Sequence, residues 1–447
     1  MIEGNNPAAR RSCYRSSPGC VVPMRTFAAA VVLLLLPLIT FASGMKVTVG
    51  DDLSYVDVEV ESGLGRLEAH SDELWQGLTI LKNGTKKTRF LVPDDPDYPV
   101  VYRVALTHTS TQWGISRWHS HLRLSDWTHW LLVPEGWSMK KPFDLEINVP
   151  DNGLAILPFQ LISHEPGRGI YKAHPILPDH GGLSVFGDVQ LKQLAFGKNK
   201  ITAAVVGEHN SRSSQWFEWV SDVAKVAVDV HGYAPGEHAL VVIIPVPFVS
   251  GVVPWAHVRR GGGSHVIAYV KEDAETEALY EDWTLFHEMT HLYHPYLHSG
   301  GRWVSEGFAS YYQNVYRASA GVVDPEHAYR RLLAGMERGR KENQDAGNRP
   351  VTQGGRMRTY WTGAAMALEA DIQLQKDGRS LGEAIGRFAS RQMPVDRAWH
   401  PRDYLAALDR ELDEDILVPL YDDYVRDRYF PELEAAPNAW ESIFSGD

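Results

Sequence analysis

The chain has 447 residues, 44% of them hydrophobic and 22% charged, with a formal net charge of −12. That length exceeds what one ordinary core needs, so two or three domains are expected, and the composition excludes a disordered or low-complexity chain. An acidic surface repels phosphate backbones, which sets nucleic acid aside as a partner.

Met24-Arg25-Thr26 precedes an apolar run over residues 27–42 that Pro37 interrupts and that gives way to Ser43 and Gly44. A basic start, an apolar middle and small residues at the end make a secretory signal, so the protein is expected to be exported, periplasmic or extracellular. The run is shorter than the ~20 apolar residues a bilayer span needs, and an uncleaved anchor is the alternative reading. Residues 1–23 fit no signal layout, which makes Met24 the expected true start. Residues 1–44 hold four Arg and one acid, so a product beginning at Met45 carries a net charge of −15. Both cysteines, Cys13 and Cys20, precede the apolar run. The mature chain therefore has no disulfide framework and no Cys-based catalytic or zinc site.

Residues 45–210 read as β structure. The segment VDVEVE over 56–61 alternates apolar and acidic residues, as a half-buried strand does. Asn83-Gly84 lies between two strand-like runs within 78–92 and predicts a hairpin. Further strands are expected over 100–106, 130–133, 143–149 and 201–206, with Gly, Pro and Asn turns between them. The result is an N-terminal antiparallel β domain, sandwich-like or an open sheet. Beyond it the period changes. Residues 214–230 predict a helix that stops at Gly232, and 239–246 and 265–270 are buried strands. A helix is expected over 274–292 with Asp273 as its N-cap, and the chain after Trp303 is mainly helical, over 306–318, 360–375, 381–390 and 404–412.

The chemistry concentrates in His287-Glu288-Met289-Thr290-His291, an HExxH within the 274–292 helix. A spacing of four puts both imidazoles on one face, close enough to share a metal ion. Glu288 projects about 100° around from His287, beside the ion rather than on it, where a base can take a proton from a metal-bound water. Catalytic zinc takes three protein ligands, and Glu306 in Trp303-Val304-Ser305-Glu306-Gly307 supplies the third. Other features carry less. His108, His119, His121 and His129 could line one strand face as a second metal site, though alternating polar residues on a solvated sheet explain them equally well. A third-histidine ligand pattern downstream fails, because it needs Gly and His where this chain has His294 and Leu297. Gly261-Gly262-Gly263 reads as a turn into an edge strand, which would let an extended peptide pair with it. Phe308, Tyr311, Tyr312 and Tyr316 read as helix-packing aromatics.

HEMTH followed by WVSEGFASYY resembles the gluzincin metallopeptidases, especially the glycyl aminopeptidase family and, more distantly, the aminopeptidase N family. The resemblance covers roughly residues 261–429. It implies a thermolysin-like catalytic domain binding one zinc ion per chain through His287, His291 and Glu306. It also implies that Tyr360, in Tyr360-Trp361-Thr362-Gly363-Ala364, stabilises the oxyanion. The expected architecture is an α+β multidomain chain: a pre-sequence over 1–44, the β domain over 45–210, the catalytic domain over 211–320, and a helical C-terminal region over 321–447 that completes the cleft. The expected partner is a peptide or protein substrate.

Two departures stand out. The position four after Glu306 is Ser310, so no carboxylate stands there to orient a ligand histidine. The Gly-rich segment before the zinc helix carries in these families a Glu that reads a free amino terminus, and Gly261-Gly262-Gly263-Ser264-His265 has none. An exported zinc metallopeptidase, with aminopeptidase action as one form, is the resulting expectation. A non-catalytic binding protein on the same fold and a zinc hydrolase of other amides are the alternatives.

Overall fold

The computed structural model describes residues 44–106, 121–177, 180–207, 212–236, 238–298, 300–345, 347, 349–393, 395–428, 430–431, 440–441 and 443–444. The segment expected to be a signal thus lies outside the described residues, apart from Gly44.

The first half of the chain is built of strands. In order they are β1 (Gly44–Val49), β2 (Tyr55–Val60), β3 (Leu67–Glu68), the short helix α1 (Asp72–Gly77), β4 (Thr79–Lys82), β5 (Thr85–Lys87), β6 (Phe90–Val92) and β7 (Val100–Ala105). There follow β8 (Leu122–Asp126), β9 (Val133–Pro134), β10 (Phe143–Asn148), β11 (Leu154–Ile156), β12 (Gln160–Glu165), β13 (Arg168–Ala173) and β14 (Leu183–Gly187). They form a seven-stranded sheet in the order β12-β13-β10-β1-β2-β7-β4, a four-stranded sheet β5-β6-β3-β9 and a three-stranded sheet β11-β14-β8. The large sheet is mixed rather than purely antiparallel, because β1 runs parallel to β10, with Val47 opposite Ile147.

Two local expectations fail here. Asn83-Gly84 is no hairpin turn: β4 pairs with β7 in one sheet and β5 with β6 in another. The Asn83 side chain bonds the carbonyls of Asp95 and Tyr98 and the amide of Asp95, all at 2.8 Å, and this anchors the crossing from one sheet to the other. The segment 130–133 is mostly not strand either. A 3-10 turn over Trp127–His129 leads into the two-residue β9, with the Asp126 carboxylate capping the turn.

The second half opens with β15 (Val189–Phe196), β16 (Asn199–Val206), α2 (Ser213–His231), β17 (His238–Val246), β18 (Trp255–Arg259) and β19 (His265–Lys271). These strands form one sheet in the order β15-β16-β17-β19-β18. β15 and β16, read as part of the first β region, thus belong to the sheet beneath the metal-site helices. β19 is an inner strand, and the edge is β18, which the sequence did not announce. The inner strands are buried on both faces, which is why they read as unbroken apolar runs. Ala239, Val241 and Ile243 pack toward the helices, whereas Leu240, Val242 and Ile244 pack with Leu124, Ile156 and Val185 of the three-stranded sheet.

Helices complete the fold: α3 (Thr276–Glu281), α4 (Thr284–Thr290), α5 (Arg302–Ser319), α6 (Pro325–Asp345), α7 (Arg356–Gln375), α8 (Leu381–Gln392), α9 (Pro401–Leu412) and α10 (Leu417–Arg426). The single helix expected over 274–292 is broken. Asp282 is extended, and its carboxylate accepts the Thr284 amide at 2.7 Å, which ends α3 and starts α4 afresh. Asp273 caps nothing, the residue before α3 being Glu275. Helices α5 and α7 meet at Gly307 and Gly363, where a Cβ on Gly307 would collide with the Gly363 backbone.

Candidate metal centre

Every residue of α4 is buried, and so is His291, which opens the 3-10 turn immediately after it, so both His287 and His291 are held in the packed interior. His287 and His291 lie one turn apart, with ring centroids 5.1 Å apart. Glu306 enters from the second turn of α5. One ligand atom each from His287, His291 and Glu306 falls within 4.8 Å of the others, the one such His, Cys, Asp or Glu group among the described residues. Glu306 Oε2 lies 3.2 Å from His287 Nε2 and 3.7 Å from His291 Nε2. Two imidazole nitrogens and a carboxylate oxygen facing one point form the donor set that zinc takes in open, catalytic sites.

The partners behind these groups fix how they present themselves. Gln313 Oε1 lies 3.0 Å from His287 Nδ1, and a carbonyl oxygen only accepts, so Nδ1 carries a proton and Nε2 is the nitrogen left for Glu306 and for a metal. Gln313 sits seven residues after Glu306, two turns along the same face of α5, a spacing that could have flagged it in the sequence. His291 Nδ1 lies 3.0 Å from His294 Nε2, and Ser305 Oγ is 3.3 Å from both nitrogens. The main-chain carbonyl of His291 accepts from Arg260 Nη2 at 3.0 Å.

Burial and charge set the ionisation of the group. Burial works to raise the Glu306 pKa, but its hydrogen bonds from His287 and His291 outweigh it and hold the carboxyl well below the usual carboxylate range. Glu288, next in the chain to His287, shows the opposite balance. Its burial dominates over the attraction of His291 and His287 and raises its pKa. Burial disfavours the charged form of His287, yet the Glu306 hydrogen bond and the Glu288 charge carry its pKa upward. Arg260 is pulled down to about 10 by burial, offset in part by Glu288 and Glu306.

Tyr360, near the start of α7, stacks on His287 with ring centroids 5.9 Å apart and planes 11° apart. Its raised pKa comes from burial first and then from the charge of Glu306, while Arg302 acts the other way. Arg302 Nε is also 3.8 Å from Glu306 Oε1. All five residues singled out from the sequence, His287, Glu288, His291, Glu306 and Tyr360, therefore meet at one place. The packing aromatics lie elsewhere: Tyr311 donates to Asp371 at 2.7 Å, and Tyr316 meets His231 Nε2 at 2.5 Å. Of the suggested second histidine site, His108 and His119 lie outside the described residues. His121 is exposed, and His129 Nδ1 sits 3.5 Å from Glu73.

No protein-family model matches the chain, and no curated protein matches it by sequence. Solved structures do. An aminopeptidase N family protein from Idiomarina loihiensis aligns at a TM-score of 0.58 and 14% identity, over 88% of this chain and 77% of that one. The chain shares the fold of that protein. An M1 zinc metallopeptidase from Deinococcus radiodurans aligns at 0.50 and 15% identity, over 87% of this chain and 94% of that one. Yeast LTA4 hydrolase aligns at 0.51 and 11% identity, over 89% and 70%. The likeness read from the gluzincin motifs thus extends, as fold, across both the strand-rich and the helical parts of the chain.

Proposed function

We propose that this chain is an exported zinc-dependent metallopeptidase, with His287, His291 and Glu306 as ligands of one zinc ion. The observation that carries the reading is the convergence of these three donors with a buried Glu288 near enough to feel the charge of all three. Zinc, when bound there, supplies a Lewis acid that polarises a scissile carbonyl and acidifies a water. Glu288 takes the proton of the attacking water and returns it to the leaving amine, a role its raised pKa suits. Tyr360 donates its hydroxyl hydrogen to the developing oxyanion. Peptides are the substrate class by analogy with the metallopeptidases that share the fold. Export rests on the basic-then-apolar segment from Met24 to Gly44. Among the described residues no helix is long and apolar enough to cross a membrane.

The test is zinc content together with cleavage of an unbiased peptide library. Purified protein should hold one zinc per chain and lose hydrolysis on chelation. Glu288→Gln should keep the zinc and lose turnover by about 10²–10⁴-fold. Full activity after thorough metal removal, or wild-type turnover in the Gln variant, sinks the reading.

A further inference from the structure

The two ligand histidines are backed by neutral groups, and one of these is itself a histidine. His294 is 1% exposed and sits in extended backbone just past the 3-10 turn over His291–Tyr293. Its ring packs near Tyr404, with centroids 6.2 Å apart. Its Nδ1 lies 3.0 Å from the Pro295 carbonyl oxygen. That oxygen can only accept, so the His294 proton is on Nδ1 and the lone pair of Nε2 is free to accept. His291 Nδ1, 3.0 Å from that Nε2, must then be the donor.

We propose that His294 is a positioning residue for the metal centre, holding His291 Nδ1 as a donor and so fixing the ring in the orientation that turns Nε2, the nitrogen a metal would take, toward Glu306. The proposal rests on the metallopeptidase reading only in that a metal is what the ring is positioned for. Three features give it force. The chain of contacts from the Pro295 carbonyl through His294 to His291 runs one way, because its first member has no hydrogen to give. The acceptor is buried, so water does not readily replace it, and losing it leaves the His291 N–H only the longer contact to Ser305 Oγ. Ser305 Oγ, 3.3 Å from both rings, closes the remaining side. On His287 the same task falls to the Gln313 amide, so neither ligand ring leans on a carboxylate. Glu306 is then the one negatively charged member of the donor set, and no further charge is fed into it through the rings.

The first measurement needs no variant. In metal-free wild-type protein labelled with ¹⁵N-histidine, long-range ¹H–¹⁵N correlation should show both His291 and His294 protonated on Nδ1. A His291 protonated on Nε2, with Nδ1 bare and His294 Nε2 as donor, overturns the proposal. The second is zinc affinity by chelator competition. His294→Phe keeps the ring but removes the acceptor, and should weaken binding about 10–100-fold. His294→Gln, whose Oε1 can stand where Nε2 stands, should recover affinity to within a few-fold of wild type. Equal affinity in wild type and the Phe variant, or equal loss in the Phe and Gln variants, also overturns it. Wild-type protein that takes up no zinc defeats the peptidase reading and this proposal together, whereas zinc uptake with the wrong tautomer defeats this proposal alone.

Discussion

The two sides of the metal centre are built differently. On one side the donors come from twenty consecutive residues, on α4, the 3-10 turn that follows it and the start of α5, and their placement follows from helical spacing. On the other side, the segment after edge strand β18 reaches the site through Arg260 and is held by residues far away in sequence. The Gly262 amide donates to the Ile176 carbonyl at 2.7 Å, and the Leu183 amide donates to His265 Nε2 at 3.1 Å. A Cβ on Gly261 would run into the Gly181 backbone. Local chemistry thus sets the donors, and long-range packing sets what lies opposite them.

If that division is real, substitutions on the donor side should change metal or turnover, and those on the far side should change stability or substrate preference. The largest effect is expected of Glu306→Ala. Zinc affinity should fall by more than the about 100-fold typical of an orienting residue, and turnover should fall to background. Stoichiometric zinc at wild-type affinity in that variant would break the assignment. Tyr360→Phe comes next, with a loss of about 10²–10³ in kcat and unchanged zinc content. Activity within a few-fold of wild type would make Tyr360 a packing residue against His287. On the far side, Gly261→Ala should cost about 1–3 kcal/mol in urea unfolding, because backbone must move to admit a methyl, while zinc affinity stays as it was. A loss of zinc there would show that the two sides are coupled. The smallest effect is expected from acetylating the amino terminus of a good peptide substrate. Segment 260–264 offers an Arg and a Ser but no carboxylate to the amine, so cleavage should fall only a few-fold. A drop of about 10⁴-fold, the mark of a site built to bind the group, would place a reading carboxylate elsewhere.

The same division governs what could be read from the sequence. HExxH and the Glu fifteen residues on announce themselves because a helix turns a fixed spacing into a fixed geometry. The length of their helix did not, since Asp282 is compatible with a helix in composition and breaks it only through its bond to Thr284. The Asn83-Gly84 pair was misread because the partners of Asn83 lie twelve and more residues downstream. Edge strand β18 escaped notice because WAHVR is short and only partly buried along its length. His294 enters the sequence reading only as a departure from a third-histidine ligand pattern. The proline that follows it, whose carbonyl fixes its ring, was the overlooked signal.

The contact between Gly307 and Gly363 sets a limit on how this site can be altered. Here α5 and α7 touch backbone to backbone, with no side chain between them that could be shortened to bring them closer. The distance from the helix bearing Glu306 to the helix bearing Tyr360 is therefore a van der Waals floor. It can be widened, at the expense of both roles, but not narrowed. Space for a bulkier or differently shaped substrate has to be found opposite, along β18 and the glycines that follow it.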